Sequence, residues 1–169
     1  APAAIAKQIT YSADGGLEHG GGVSPAEKYL RLTTGIATAA TALPLTMILC
    51  DYLLYYPSID DSVLDEQIMD NTVTLPRYTD GDGVQVIAVS VAGRTGGARF
   101  YFTYTNSDGV SGRVSQTCYQ NNSAALGTLQ GNGQNTNVAS SAFIGLQDGD
   151  SGVRSIDSVF MLDADVGLM

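Results

Sequence analysis

Two β-favouring runs on either side of a four-residue turn constrain this chain most strongly. The run "ARFYFTYT" alternates, so that Phe100, Phe102 and Tyr104 fall on one face of an extended strand. The next four residues, "NSDG", all favour turns, and "VSGRVSQTC" is again rich in β-favouring residues. Residues 98–118 therefore predict an antiparallel hairpin closed by a type I turn.

Other segments favour the same fold class. Residues 84–91, "VQVIAVSV", and residues 153–162, "VRSIDSVFML", have the β-branched content of strands. Amphipathic helical spacing is nearly absent, and the helix-start pattern at Ser24, Pro25 and Glu27 is soon followed by β-branched residues and glycine. We expect an all-β chain, an antiparallel β-sandwich or jelly-roll-like domain with little helix.

The distribution of glycine and polar residues predicts how the chain is organised. Two glycine clusters in residues 1–22 predict a flexible, extended N-terminal arm, and residues 23–169 predict a single β-rich domain. Within that domain, residues 120–141 are rich in Asn, Gln, Gly and Ser and predict a long, exposed polar loop. The apolar run at residues 43–57 carries Asp51 and is too short for a membrane span, so we expect it in the core.

Charge and cysteine content exclude several classes of partner. The formal net charge of -9 argues against nucleic acid, because phosphate binding depends on Lys and Arg. Cys50 and Cys118 lie far apart in sequence and predict two buried free thiols rather than a zinc site or a disulfide framework. The first residues lack the basic and apolar regions of a secretory signal, so we expect no export and no membrane partner.

The sequence offers few residues for catalysis. Its single histidine, His19, lies among glycines where precise positioning is difficult, and no nucleophile-elbow, HExxH or phosphate-loop motif is present. We therefore expect no enzymatic activity and no cofactor.

Carboxylates are the most plentiful reactive groups. Asp80 with Asp82, and Asp148 with Asp150, are spaced two residues apart around glycine, which makes them weak candidates for binding a hard cation such as calcium. Asp-Gly is also a common turn sequence, and the turn is the favoured interpretation. A further acidic run predicts a solvated connection; its members are Asp60, Asp61, Asp65, Glu66 and Asp70.

Three segments of the chain resemble structural proteins of tailed-bacteriophage virions. They are "DNTVTLPRYTDGDGVQV", "FTYTNSDGVSGR" and "LQDGDSGVRSIDSVFML", and they lie within residues 70–162. The resemblance implies a non-enzymatic building block: a capsid decoration or cement protein, or another head or tail component. It implies no functional residue, because it includes no site motif.

The resemblance and the composition lead to one leading expectation. We expect a protein made in the host cytoplasm that forms homo-oligomers and binds the major capsid protein or another virion protein. Its acidic charge favours the outer surface of the capsid, away from packaged DNA. The candidate contact residues are Ile9, Tyr11, Leu17, Tyr101, Asn121 and Asn122.

Two alternatives stay open at this point. One is a tail or tail-fibre-associated component, which would be present in few copies per particle. The other is a β-sandwich module that binds carbohydrate or calcium, whose melting temperature calcium would raise.

Overall fold

A computed structural model describes residues 4–9, 20–35, 47–95, 97–120, 126–130 and 141–169. None of these residues lies in a helix, and the strands are mostly antiparallel, so the prediction of an all-β chain is confirmed. The more specific prediction of a sandwich or jelly roll stays a prediction.

The chain divides into two compact units. The first unit, called the sheet unit below, comprises Ala1–Gln8 and Leu53–Met169, and the second unit is Ile9–Tyr52. This division differs from the predicted boundary at residue 22, because Ala4–Gln8 pair with strands far along the chain.

The strands of the sheet unit form three sheets. The largest has six strands in the order β1-β4-β10-β6-β7, and β8 also pairs with β6. Two-stranded sheets are formed by β2 with β3 and by β5 with β9. The strands are β1 (Ala4–Ile5), β2 (Lys7–Gln8), β3 (Leu54–Tyr55), β4 (Gln67–Asp70), β5 (Ala88–Val89), β6 (Arg99–Asn106), β7 (Arg113–Val114), β8 (Cys118–Tyr119), β9 (Leu129–Gln130) and β10 (Val153–Met161).

The predicted hairpin at residues 98–118 is confirmed. Strand β6 pairs with β7 near its end and with β8 near its start, so two short strands share one edge of it. The turn is closed by a hydrogen bond from the Gly109 amide to the Asn106 carbonyl oxygen, and Gly109 has a φ of 78°. Glycine adopts this backbone conformation without the steric cost that a side chain would bring.

The main core lies on one face of the large sheet. In β6, alternate residues are buried, and β10 places Val153, Val159 and Met161 on the same side. Burial of such side chains contributes about 1.5–3 kcal/mol each. The buried core cluster comprises Ile59, Met69, Ala98, Phe100, Phe102, Tyr104, Cys118, Ile144, Val153, Val159, Met161 and Met169.

Two Asp-Gly turns, called the Asp-Gly corners below, lie at residues 80–83 and 148–152 and pack backbone against backbone. Asp82 forms an antiparallel bridge with Gly152, and the Gly83 amide donates a hydrogen bond to the Ser151 carbonyl oxygen at 3.3 Å. A Cβ on Gly81 would lie 2.5 Å from the backbone nitrogen of Arg154, closer than real Cβ atoms approach other atoms. The corners therefore form a structural junction that leaves no room for a side chain at Gly81.

Substitution at this junction should separate steric contact from backbone strain. Gly81 and Gly83 have φ angles of 85° and 71°, but a Cβ on Gly83 would meet nothing within 4 Å. We expect Gly83→Ala to cost about 1–2 kcal/mol of unfolding free energy and Gly81→Ala at least about 2 kcal/mol more. Urea unfolding measures both values, and equal losses would contradict the packed junction.

Several predicted loop residues are instead buried. Gln120 and Gln130 are fully buried, and Leu129–Gln130 forms β9, so the prediction of one exposed loop at residues 120–141 is wrong for these residues. Gln130 donates a hydrogen bond from Nε2 to Ser90 Oγ at 2.6 Å. Such pairing removes the cost of burying an amide, and the sequence does not reveal the distant partner.

The second unit differs from its sequence prediction. Residues 20–35 and 47–52 contain neither helix nor strand, so the helix-start pattern at Ser24, Pro25 and Glu27 does not begin a helix. Residues 47–52 are exposed, which contradicts their predicted core position. Cys50 is also exposed, whereas Cys118 is buried as predicted.

Candidate functional site

Asp80 and Asp82, two of the weak candidates for metal binding, accept hydrogen bonds within and between the two Asp-Gly corners. Asp80 Oδ1 accepts a hydrogen bond from the Asp82 amide at 3.2 Å, and Asp82 Oδ1 accepts one from Ser151 Oγ at 2.7 Å. Asp148 is exposed on the neighbouring turn. Within the part of the chain that the structure describes, no three His, Cys, Asp or Glu residues are grouped to bind a metal. The favoured interpretation of these pairs as turns agrees with this geometry.

Asp150 is the centre of a hydrogen-bond network beneath the hairpin. Its carboxylate accepts hydrogen bonds from Tyr104 Oη at 2.5 Å, from Asn106 Nδ2 at 2.8 Å and from Arg113 Nε at 2.9 Å. Tyr104 Oη in turn accepts a hydrogen bond from the Gln147 amide. The network joins β6, β7 and the turn before β10 through one buried carboxylate.

The same contacts change the acidity of the network. Hydrogen bonds from Arg113 and Tyr104 lower the pKa of Asp150 to about 2. Burial, followed by the hydrogen bond to Asp150, raises the pKa of Tyr104 to about 12. At neutral pH the carboxylate is therefore charged and the phenol neutral, which suits a structural role and leaves no group ready to exchange a proton.

The network should make the protein sensitive to acid. Because the folded pKa of Asp150 lies below its ordinary value of 3.8, its stabilisation is present above about pH 4 and is lost as pH falls toward 2. We expect Asp150→Asn to lower the denaturant midpoint at pH 7 and to weaken the dependence of stability on pH between 5 and 2. Asp148→Asn, on the same turn, is the matched control and should behave like wild type. Identical pH profiles for Asp150→Asn and wild type would contradict the network.

A second polar cluster is fully enclosed. Asp61 Oδ2 lies 2.9 Å from Arg94 Nη2, and neither side chain is exposed. Gln120 Nε2 donates a hydrogen bond to Asp61 Oδ1 at 3.2 Å, and Arg94 Nη2 donates one to the Leu168 carbonyl oxygen. Burial raises the pKa of Asp61, while Arg94 and Gln120 act in the opposite direction. The prediction that this acidic run is solvated is wrong for Asp61, and a substrate has no access to it.

Breaking this pair should be costly because the surviving charge stays buried. We expect Asp61→Asn to lower the free energy of unfolding by about 3 kcal/mol, since Arg94 then lacks a counter-charge. Adding Arg94→Met should recover most of the loss. Chemical denaturation of Asp61→Asn, Arg94→Met, the double variant and wild type measures the coupling, and additive losses would show that the ion pair is unimportant.

A groove of about 370 Å³ lies beside the large sheet. Two of its polar side chains already have partners: Tyr56 Oη donates a hydrogen bond to Asn71 Oδ1 at 2.5 Å, and Asn71 Nδ2 donates one to the Ile156 carbonyl oxygen. Thr105 Oγ1 is likewise bonded to Asp157. The lining also includes Arg154, Thr74 and Thr79.

The face of the large sheet that points away from the core carries apolar residues. We call it the outer sheet face and define it by Ile68, Tyr101, Val114, Phe160 and Leu162. Tyr101 and Phe160 stack across β6 and β10, with ring centroids 5.0 Å apart and ring planes 10° apart. Each ring therefore has one face occupied by the other. A sugar needs a free ring face for stacking, and the stacked pair has fewer free faces than two separate rings. The pair therefore favours packing against protein.

The second unit exposes large apolar side chains in a short segment. Tyr29, Leu30 and Leu32 are 76%, 68% and 80% exposed. We call residues 29–32 the exposed segment. Contiguous exposed apolar residues of this kind are characteristic of protein interaction sites.

The candidate contact residues have different positions. Tyr101 lies half-buried on the outer sheet face, and Ile9 is half-buried at the start of the second unit. Tyr11, Leu17, His19, Asn121 and Asn122 lie outside the described residues. The exposed segment is not among the contact residues predicted from the sequence. Its run of apolar residues, "YLRL", has no helical or strand context and was a usable signal.

Comparison with known proteins gives no relative for this chain: no family model, no curated protein and no solved structure matches it. Its function therefore has to be argued from its own residues. Among the described residues, no helix has the length and apolarity required to cross a membrane.

Proposed function

We propose that this chain is a non-enzymatic structural protein of a tailed-bacteriophage virion, which binds assembled capsid subunits and stabilises the head. The assignment to a virion and its capsid rests on the resemblance of residues 70–162 to virion structural proteins. The binding role is supported by the exposed segment.

The exposed segment carries the proposal. Tyr29, Leu30 and Leu32 leave most of their surface in water, although burying each would contribute about 1.5–3 kcal/mol. Lys28 precedes them and Arg31 lies between Leu30 and Leu32, and arginine and tyrosine are enriched at binding hot spots. A partner surface that covers this segment would recover that free energy on binding.

The distribution of reactive groups supports a structural role in the sheet unit. The carboxylates of Asp61 and Asp150 are committed to ion pairs, and the carboxylate of Asp82 accepts a hydrogen bond from Ser151 on the other Asp-Gly corner. Each contact joins segments distant in sequence. These residues therefore serve stability, as a particle component requires.

Net charge favours the outside of the capsid as the binding side. The chain carries a formal charge of -9, and packaged DNA would repel it at close range. An outer position also allows one copy to contact more than one capsid subunit, which is how a decoration protein stabilises a shell.

A matched pair of leucine substitutions tests the proposal. Leu30 and Leu126 are 68% and 69% exposed, but only Leu30 belongs to the exposed segment. We expect Leu30→Ser to weaken binding to particles that lack this protein by about tenfold and Leu126→Ser to leave it unchanged. Binding is measured by titrating purified chain onto such particles and counting bound copies.

Three outcomes would contradict the proposal. Equal occupancy by wild type and Leu30→Ser would remove the exposed segment from the interface. Equal loss in both variants would indicate a general effect of leucine removal. A few bound copies per particle, rather than a number proportional to the major capsid protein, would replace the decoration role with a tail-associated role.

A further inference from the structure

The outer sheet face leaves apolar residues uncovered on the side opposite the core. Ile68, Val114 and Leu162 are exposed, and they lie on β4, on β7 and just beyond β10. The register aligns Ile68, Ser158, Thr103 and Val114 in one row across four strands, and the stacked Tyr101 and Phe160 form the next row. These residues form a continuous patch on regular strands.

The polar groups within this patch are already paired. Thr103 Oγ1 and Ser158 Oγ are 2.6 Å apart and share a hydrogen bond. At the border, Arg99 binds Asp163 through two nitrogens, at 2.6 and 2.9 Å. Covering the patch would therefore bury few polar atoms without partners, and this avoids the main penalty of burying a sheet face.

The charge of the patch indicates which partner fits. Its two central rows carry no charged residue, in a chain whose formal net charge is -9. A basic partner would find no complementary charge there and would bind better elsewhere on the acidic surface. A second copy of the same patch is apolar and uncharged in the same way, so apolar surface meets apolar surface.

The size of the patch sets the strength of such a contact. The patch lies on β10, β6, β4 and β7, which have nine, eight, four and two residues, and at about 3.4 Å per residue and about 4.8 Å between strands they cover roughly 350–400 Å² per copy. Two copies would bury about 700–800 Å², which lies below the range of stable specific interfaces. The expected dimer is therefore weak, with a dissociation constant in the micromolar range.

We propose that the outer sheet face is a self-association surface, on which a second copy of this chain packs sheet against sheet. Each sheet would then have one apolar face on its own core and the other on its partner, at the spacing of about 10 Å typical of stacked sheets. The contact is isologous, because both copies use the same patch. It involves the sheet unit and is independent of the exposed segment in the proposed function.

Salt dependence gives this contact a distinctive signature. Two chains of charge -9 repel each other, and added salt screens this repulsion while leaving apolar contact intact. We expect the weight-average mass of the purified chain to rise from 17.6 kDa toward twice that value between about 1 and 200 μM, and to rise further in 500 mM than in 50 mM NaCl. Sedimentation equilibrium measures both trends.

Two valine substitutions form the matched variant and control. Val114 on the patch is 45% exposed, and Val110 in the hairpin turn is 51% exposed. We expect Val114→Lys to weaken self-association at least about tenfold, because a lysine must then be buried or displaced, and Val110→Lys to behave like wild type. Thermal melting of both variants verifies that each is folded.

Clear results would overturn the proposal. They are a monomer at 200 μM in both salt concentrations, an association that weakens with salt, or an equal effect of the two lysine variants. A chain that stays monomeric yet binds particles would refute self-association and leave the proposed function standing. A dimer that fails to bind particles would refute the proposed function and leave self-association standing.

Discussion

The pairing of β6 with β10 is the interaction on which the rest of the sheet unit depends. These are the two longest strands, of eight and nine residues, and their ladder runs from Val153 opposite Asn106 to Met161 opposite Phe100. Every other strand of the large sheet joins this pair directly or through β4. Register in a sheet determines which face each side chain occupies, so this ladder separates the core from the outer sheet face.

Irregularity in that ladder positions the polar contacts. The register shifts between Ile156 and Ser158, which places Asp157 at an irregular position beside Thr105 and Ser155. Where β10 begins, the two Asp-Gly corners meet, and Asp150 reaches three side chains of the hairpin. The acidic, glycine-rich corners of this chain thus act as joints between segments that are distant in sequence.

The two proposed surfaces differ in the way that apolar residues are presented. On the outer sheet face, regular strands hold side chains in fixed rows, which suits a flat, self-complementary partner. In the exposed segment, side chains project from residues without helix or strand, and such segments adapt to the shape of a partner. The two proposals assign self-association to the sheet unit and the binding of a different protein to the second unit.

The sequence by itself determined the all-β class, the hairpin at residues 98–118 and the strand that became β10. Alternation with a period of two and turn-forming residues are local signals, and they do not depend on distant partners. The tertiary structure alone decided that Asp61 is buried against Arg94 and that Gln120 and Gln130 are interior. It also decided that the first strands belong with residues 53–169. These features depend on hydrogen bonds and pairings between residues far apart in the chain, and no local pattern of residue types records which distant groups will meet.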